Sequence, residues 1–523
     1  LRSRRGRRRR DLRAVIDDQI APVSSHATKR VGGGALIALA GGAVSFILSL
    51  AWQAIIANRL GPAGVGVFLL ALAISKLLAE GGDLGVDYGI LRLGGIAHGI
   101  KDANRLRALI FSGMRGSLVF GALGGLALAA GAPFISRLLD TPELTAALVP
   151  LALSVPFTAS TEVIRSGLRA MGDAKGPVAS TSIITPILRL VTVLWAISVL
   201  NSAASVAWAY LLTEVLVFVA TGAMLWRTMP KGDRHASSAE GLFRFSLPMS
   251  LNRLLLYGNN QTEVVILGIF GSLSDVGIFG IARRLSVLIG SLLTSVTVLF
   301  NPVVADLHHA NRTEELDQLY KTSTRWLLTL GLPICLVELL FPTQLLTVMG
   351  GNRFTAGSSA LIILAIGQLV NVGTGVTSNL QAMAGHAKTT LLNSLLFLGM
   401  SIALDLALIP AFGILGAAIA AATSTIVVNV LRLWQIYSRL GLLPYDRTFI
   451  RPIAAAVPAS LVSVLLPLSA LSTKLEIAVP VGVLGVVYLL ALFLLGFEPI
   501  DREIAHAATA KVLGRKSPAL AAK

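Results

Sequence analysis

Apolar runs of about 20 residues alternate along this chain with short polar gaps, and the gaps alternate in charge. Most of the 44 Lys and Arg residues lie in every second gap or in the two terminal segments. The intervening gaps contain only Arg59, Arg137, Arg353 and Lys474. Because Lys and Arg favour the cytoplasmic side of a membrane, this alternation predicts a polytopic membrane protein with cytoplasmic ends.

Composition excludes an ordinary soluble protein. Of the 523 residues, 54% are hydrophobic and 14% are charged, and the mean hydropathy is +0.76. A soluble fold of this size needs a more polar surface. Within the roughly 30 Å hydrocarbon core, backbone groups must bond inside their own segment, so the apolar runs are predicted to be helices. The strict period-two alternation of a membrane barrel is absent from the sequence.

The apolar runs predict about fourteen transmembrane helices and therefore an all-α integral membrane fold. An even number returns the chain to the side on which it began, in agreement with the basic residues at both ends. The predicted cytoplasmic loops include residues 92–107, 227–244 and 301–321. The predicted spans are residues 33–57, 65–91, 108–130, 146–168, 178–200, 205–226, 242–270, 276–300, 326–341, 358–382, 389–409, 414–436, 449–468 and 477–497.

A short internal repeat divides the chain into two similar units. VGVF at residues 65–68 recurs as VGIF at 276–279, and MGDAK at 171–175 recurs as AGHAK at 384–388. Both matches occupy corresponding places in a unit of six spans, and an even number of spans makes the two units parallel. We therefore expect a basic tail (1–30), an N-lobe (31–230), a C-lobe (240–440), two further spans (447–497) and a second cytoplasmic tail (498–523).

Polar residues inside the predicted spans indicate a central cavity. A charge in hydrocarbon is costly unless it has a partner or water. Spans 1, 2, 7 and 8 are polar at equivalent places in the two units, so we expect them to line the cavity. The predicted anion-binding residues are Lys76, Arg253, Arg283 and Arg284, and the predicted polar or ion-coupling residues are Gln53, Glu80, Asn259, Asn260 and Glu263.

Some intramembrane charges also have a structural interpretation. An ion pair within span 2, between Lys76 and Glu80, is an equally good interpretation of their spacing, and Glu162 is predicted to pair with Arg165. Arg residues bind phosphate oxygens in a bidentate manner, so the excess of cations favours a cavity for an anionic ligand. Further charges are predicted to lie outside the cavity lining: Arg115, Arg189, Glu214, Glu338, Asp405 and Arg432.

Patterns of enzymatic, metal-binding and nucleic-acid chemistry are absent from the sequence. Cys335 is the single cysteine, and none of the seven His residues pairs with a carboxylate at catalytic spacing. The net charge of +17 is concentrated partly in the first 30 residues, where anionic lipid headgroups are the favoured contact. We therefore expect no catalytic residue, cofactor or metal, and membrane lipids as partners in place of nucleic acid.

Three short segments carry a family resemblance. Residues 57–68 are ANRLGPAGVGVF, residues 379–388 are NLQAMAGHAK and residues 409–418 are IPAFGILGAA. They resemble, in this order, the turn between helices 1 and 2, the junction of helices 10 and 11, and the entry to helix 12 in one protein family. That family is the polysaccharide transport branch of the multidrug/oligosaccharidyl-lipid/polysaccharide exporter superfamily. The resemblance extends over about residues 31–497 and implies two six-helix lobes followed by two C-terminal helices.

The resemblance implies a flippase of the cytoplasmic membrane. Such a protein carries an undecaprenyl-diphosphate-linked oligosaccharide to the outer leaflet by alternating access, for cell-surface polysaccharide synthesis, with polysaccharide assembly enzymes as further partners. The family often has an Asp late in helix 7, where this chain has Glu263. A peptidoglycan-precursor (lipid II) flippase and a multidrug/cation antiporter of the same fold remain alternatives. A membrane-embedded polymerase or ligase is disfavoured, because the predicted outer gaps are too short for a catalytic loop.

Overall fold

The chain folds into a bundle of long helices. The computed structural model describes residues 26–173, 175–233, 239–247, 250, 258, 261–310, 312–383, 387–465 and 475–496. Across these ranges there is no strand, and twelve helical segments are long and apolar enough to cross a membrane. The predicted all-α integral membrane fold is therefore confirmed.

Most of the connections between the helices are short. The helices before residue 240 are α1 (His26–Gly82), α2 (Val86–Gly89), α3 (Gly95–Gly99), α4 (Ala103–Leu138), α5 (Glu143–Ala170), α6 (Lys175–Ala179), α7 (Thr185–Val199) and α8 (Ala203–Thr228). Two π-helical turns link α2 to α3 and α6 to α7, at Ile90–Gly94 and Ser180–Ile184.

Ten further helices follow in the second half. They are α9 (Thr262–Phe270), α10 (Leu273–His309), α11 (Thr313–Leu340), α12 (Pro342–Gly350), α13 (Ser358–Gly373), α14 (Thr377–Met383), α15 (Ala387–Phe412), α16 (Ile414–Leu440), α17 (Ile450–Leu465) and α18 (Leu475–Leu495). Residues 242–247 are also helical, and 3-10 turns at Asn352–Gly357 and Arg447–Phe449 precede α13 and α17.

The twelve apolar segments correspond to thirteen of the predicted spans. The first segment, Val44–Gly82, contains predicted spans 1 and 2 in one helix. Predicted span 7 (residues 242–270) is described mainly at its two ends, at residues 242–247 and 261–270. The count of fourteen spans therefore stays a prediction.

Helix α1 folds back on itself at Gly61. This residue has φ 68° and ψ −179°, a conformation that is essentially restricted to glycine. The rings of Trp52 and Phe68, one in each limb, are 6.2 Å apart. Residues that far apart in an unbroken helix would be separated by about 24 Å, so the two limbs must lie side by side. The pair of limbs forms the hairpin predicted for spans 1 and 2.

The two copies of the repeated motif meet where α1 and α10 cross, close to Gly61. A Cβ atom placed on Gly66 of α1 would lie 1.7 Å from the carbonyl oxygen of Leu273. A Cβ atom placed on Gly277 of α10 would lie 2.0 Å from the carbonyl oxygen of Pro62. Because a methyl group does not fit at either position, the second limb of α1 and the start of α10 cross in backbone contact. The second residue of each VG(V/I)F motif is therefore a packing requirement.

Further contacts fasten α1 to the second half of the chain near Gly61. The side chain of Asn58 donates a hydrogen bond of 2.9 Å to the carbonyl oxygen of Met349. The guanidinium of Arg353 lies against Gly61, 3.0 Å from the position of a Cβ there. We name this the Gly61 end of the bundle, and the distribution of basic residues predicts that it faces outward.

The last two helices form an attachment to α11. Apolar residues of α17 and α18 pack against Leu328 and Leu332 of α11, and the hydroxyl of Tyr488 donates a 3.0 Å hydrogen bond to the carbonyl of Thr329. The division of the chain into lobes at residues 31–230 and 240–440 stays a prediction.

Candidate functional site

A cavity of about 480 Å³ lies between helices of both halves of the chain. Gln53 and Leu69 line it, each eight residues from the Gly61 turn, which places it roughly 12 Å into the bundle. Its lining residues are Ser49, Trp52, Gln53, Leu69, Leu72, Ala73, Lys76, Arg189, Tyr210, Gln261, Val264, Gly280, Arg283, Arg284 and Val287. Residues of α1, α7 and α8 form what we name the N-wall, and those from Gln261 onward form the C-wall.

The structure brings several of the predicted residues together around this cavity. Gln53, Lys76, Arg283 and Arg284 line it. Glu263 lies at its edge as the ion-pair partner of Arg283. Their roles in binding or ion coupling stay predictions.

The other predicted site residues lie elsewhere. Glu80, one helical turn beyond Lys76, is not among the lining residues. Arg253, Asn259 and Asn260 lie outside the described residues.

The C-wall holds two arginines with different partners. Arg283 forms an ion pair with Glu263, whose side chain is only 3% exposed. Arg284 donates a hydrogen bond across the cavity to the hydroxyl of Ser49, and its guanidinium carbon lies 5.5 Å from the ring centre of Phe46. Within the described part of the chain, Arg284 pairs with no carboxylate. Arg284 therefore brings a positive charge that no described carboxylate neutralises.

The N-wall contains a cation that the sequence analysis placed outside the cavity. Arg189 of α7 lines the cavity and forms an ion pair with Glu214 of α8. Its guanidinium lies 4.3 Å from the ring centre of Tyr210 and 6.0 Å from that of Trp52. The prediction that spans 1, 2, 7 and 8 supply the lining was therefore incomplete. The available signal was an Arg and a Glu inside consecutive spans, which need a partner in lipid.

Lys76 is the second N-wall cation. The structure does not form the alternative ion pair between Lys76 and Glu80, and no described carboxylate lies within ion-pair distance of Lys76. Each wall thus presents one Arg held by a Glu and one further cation without a described acidic partner. Among the described residues the cavity therefore has an excess of positive charge, which favours an anionic ligand.

A third acidic residue lies behind the C-wall. Asp405 of α15 is fully buried, and α15 packs against α9, the helix that carries Glu263. From the sequence, Asp405 was predicted to be an intramembrane charge outside the cavity lining. It lies close to the cavity because α15 packs against α9, a pairing that the residue pattern does not reveal.

The predicted pair of Glu162 and Arg165 is confirmed, but unlike the pairs above it lies outside the cavity lining. The two side chains form an ion pair. The remaining nitrogens of Arg165 donate 3.1 Å hydrogen bonds to the hydroxyls of Ser180 and Thr185. Neither residue lines the cavity. With all three nitrogens bonded, Arg165 joins α5 to the π-helical turn and to α7.

The chain is similar in sequence to proteins of polysaccharide biosynthesis and to two probable flippases. Residues 108–359 match the family described as polysaccharide biosynthesis protein. Two curated relatives from Haloferax volcanii are 28% identical: a probable low-salt glycan biosynthesis flippase, Agl15, over 37% of this chain and 41% of its own length, and a probable flippase, AglR, over 40% of this chain and 44% of its own length. In sequence, this chain therefore resembles polysaccharide biosynthesis proteins and probable flippases. The matched regions span less than half the length of these two relatives.

Solved structures show the same fold. The lipid II flippase MurJ in an inward closed conformation superposes with a TM-score of 0.68 at 14% identity, covering 87% of this chain and 98% of MurJ. An inward-facing multidrug resistance MATE transporter of the MOP superfamily gives 0.62 at 17% identity, covering 78% and 98%. A MOP superfamily transporter from Pyrococcus furiosus, described as having a binding pocket of reverse polarity, gives 0.56 at 18% identity, covering 80% and 96%. At these identities the likeness establishes the fold alone.

Proposed function

We propose that this protein is a flippase for a lipid-linked oligosaccharide, with undecaprenyl diphosphate as the lipid carrier. The observation that carries the proposal is the excess of cations in the cavity. Lys76 and Arg284 line it without a described acidic partner, and a diphosphate is the strongly anionic part of such a substrate. The match to the polysaccharide biosynthesis family and the similarity to Agl15, a probable glycan biosynthesis flippase, support the same substrate class. The similarity to AglR, a probable flippase, supports the same kind of activity.

The proposed transport route follows from the position of the cavity. The diphosphate contacts the cations of the two walls, the sugars occupy the hydrated part of the cavity, and the polyprenyl chain remains in the lipid. The substrate enters from the cytoplasmic leaflet and leaves through the Gly61 end when the walls separate there. In this proposal both ends of the chain are on the cytoplasmic side of the cytoplasmic membrane, as the basic gaps predict. Surface-polysaccharide assembly enzymes then use the translocated product.

The cavity charge also separates this proposal from a multidrug/cation antiporter. A transporter of cationic drugs needs acidic groups free to contact its substrate, but Glu214 and Glu263 are each occupied by an arginine. A lipid II flippase shares the need for a diphosphate-binding cavity, so the identity of the sugar must distinguish it.

A leaflet-resolved assay in proteoliposomes tests the proposal. Undecaprenyl-diphosphate-linked oligosaccharide is reconstituted in both leaflets, and a membrane-impermeant glycosidase is added outside. We expect digestion to stop at about half of the substrate in protein-free vesicles and to continue toward completion with the protein. A plateau at about half with the protein present, together with uptake of a cationic dye, would refute the proposal. Faster digestion of lipid II than of other glycolipids would favour a lipid II flippase instead.

A further inference from the structure

Two ion pairs between Arg and Glu lie within helices of the first half of the chain, and they differ in how fully the arginine is bonded. Arg165 has a partner for every nitrogen: Glu162, Ser180 and Thr185. Arg189 has Glu214 at Nη2, while its Nε is buried without an acceptor among the described residues. A guanidinium has five N–H donors, so the second pair leaves much of its donor capacity unused.

The second pair also lies at the cavity surface. The side chain of Arg189 is 15% exposed and that of Glu214 is 7% exposed. Arg189 is a lining residue, whereas Glu214 is not. A ligand in the cavity can therefore contact the guanidinium. The Glu214 carboxylate contacts it from the side of α8, away from the cavity.

Two aromatic side chains pack around Arg189 and help to hold its position. Tyr210 presents its ring at 4.3 Å from the guanidinium carbon, and Trp52 lies on the same wall at 6.0 Å. Contact with an aromatic face stabilises a cation through the ring quadrupole and leaves the N–H edge available. An arginine supported in this way can exchange one anionic partner for another without losing its location.

We propose that Arg189 is a further anion-binding residue of the cavity, and that a phosphate group of the ligand displaces its resident partner Glu214. This inference rests on the proposed function, because it requires a phosphate-bearing ligand. A phosphate offers a bidentate pair of oxygens to the guanidinium fork, which a carboxylate bound at one nitrogen does not. Glu214 then acts as a competitor for the site and keeps the arginine neutralised while the cavity is empty.

The competition predicts effects of opposite sign for the two partners. Glu214→Gln removes the competing carboxylate and is expected to tighten the binding of a phosphate ligand by about tenfold, the scale of one hydrogen bond to a charged group. Arg189→Gln removes the binding group and is expected to weaken binding by about the same factor. A purely structural ion pair would weaken binding in both variants, since either loss disturbs the same wall.

The experiment measures the affinity of the full-length protein in nanodiscs of neutral lipid. The probes are a short-chain prenyl diphosphate and inorganic pyrophosphate, with phosphatidylglycerol as a third arm for phospholipid headgroups. Glu162→Gln and Arg165→Gln are the matched controls, because they break a partly exposed Arg–Glu pair whose residues do not line the cavity, and they are expected to leave affinity unchanged. Thermal unfolding of each variant checks the fold. Glu214→Asp, which shortens the competing side chain, provides a second and milder test with a smaller gain in affinity.

Each outcome has a distinct meaning. Tighter prenyl diphosphate binding by Glu214→Gln, with weaker binding by Arg189→Gln, supports the exchange. Unchanged or weaker binding by Glu214→Gln and Glu214→Asp, with a wild-type protein that binds, overturns the exchange and leaves the proposed function intact. A wild-type protein that binds none of the probes overturns both. The same opposite effects seen only with pyrophosphate or only with phosphatidylglycerol support the exchange and overturn the lipid-linked substrate.

Discussion

Replacing Gly66 by Ala should open the Gly61 end of the bundle. The added Cβ would lie 1.7 Å from the carbonyl oxygen of Leu273, whereas such contacts need at least 3.0 Å. The backbones of α1 and α10 must therefore separate by roughly 1.3 Å, the difference between these two distances. The atoms that this Cβ would meet are backbone atoms of Leu273 and Gly277. Because no flexible side chain can move aside, the two helices themselves must separate.

The substitution raises the free energy of the conformation in which the Gly61 end is closed. Overpacking of this kind costs about 1–3 kcal/mol. The cost applies where the two helices cross in contact and is relieved where they part. An energy of about 1–3 kcal/mol changes the ratio of the two arrangements by roughly 5–150-fold. The variant should therefore be shifted toward the arrangement in which the Gly61 end is open.

Labelling of a cysteine in the cavity measures this shift. Cys335 is the single native cysteine and is buried, so a Cys335→Ala background with Gln53→Cys supplies one reporter on the N-wall. A membrane-impermeant maleimide added outside intact cells should label Gly66→Ala about 5–150 times faster than the parent. Gly131→Ala is the matched control, since nothing lies within 4 Å of its added Cβ. A folded Gly66→Ala protein labelled at the rate of the parent would refute the reasoning.

Three further substitutions test other parts of the structure. Arg165→Gln leaves Glu162 without its partner and should cost about 2–3 kcal/mol of stability, less than for a fully buried pair because Glu162 is 31% exposed; the unfolding midpoint in detergent measures it. Asn58→Ala removes the hydrogen bond to Met349, which holds the Gly61 end closed. Because one such bond contributes about 1 kcal/mol, the variant should be labelled faster from outside at the cavity cysteine, as Gly66→Ala is. Asn393→Leu removes three hydrogen bonds, which leaves the amide oxygen of Gln381 and the amide nitrogen of Gln435 without the partner that Asn393 supplies, and should lower stability by about 1–3 kcal/mol. An unchanged unfolding midpoint would count against the first and third of these predictions, and an unchanged labelling rate against the second.

The fold was predictable because lipid imposes simple rules on the sequence. The length of each apolar segment and the alternation of basic gaps were sufficient to predict an all-helical membrane protein. The recurrence of VGVF as VGIF identified two glycines that the structure places at one crossing. Their contact was not predictable, because a repeat in sequence does not say which copies meet in space.

The candidate site was predictable in part. The grouping of polar residues in spans 1, 2 and 8 indicated Gln53, Lys76 and the two arginines of α10, which all line the cavity. Arg189 was missed because it is the single charged residue of α7 and its carboxylate partner, Glu214, lies on the next helix. The spacing of Lys76 and Glu80 allowed a pair that does not form, because local spacing states which side chains are able to meet and not which partners the tertiary structure supplies.

The most direct test of the account is transport by a variant that lacks the two cavity cations without a described acidic partner. Lys76→Gln/Arg284→Gln is compared with Lys175→Gln, which removes an exposed cation outside the cavity, in the leaflet-resolved assay with undecaprenyl-diphosphate-linked oligosaccharide. The account predicts that the cavity variant loses at least about tenfold in flipping rate, the scale of one charged hydrogen bond, while the control retains the parent rate. Equal rates in a folded cavity variant and its control would contradict the claim that these cations bind the substrate.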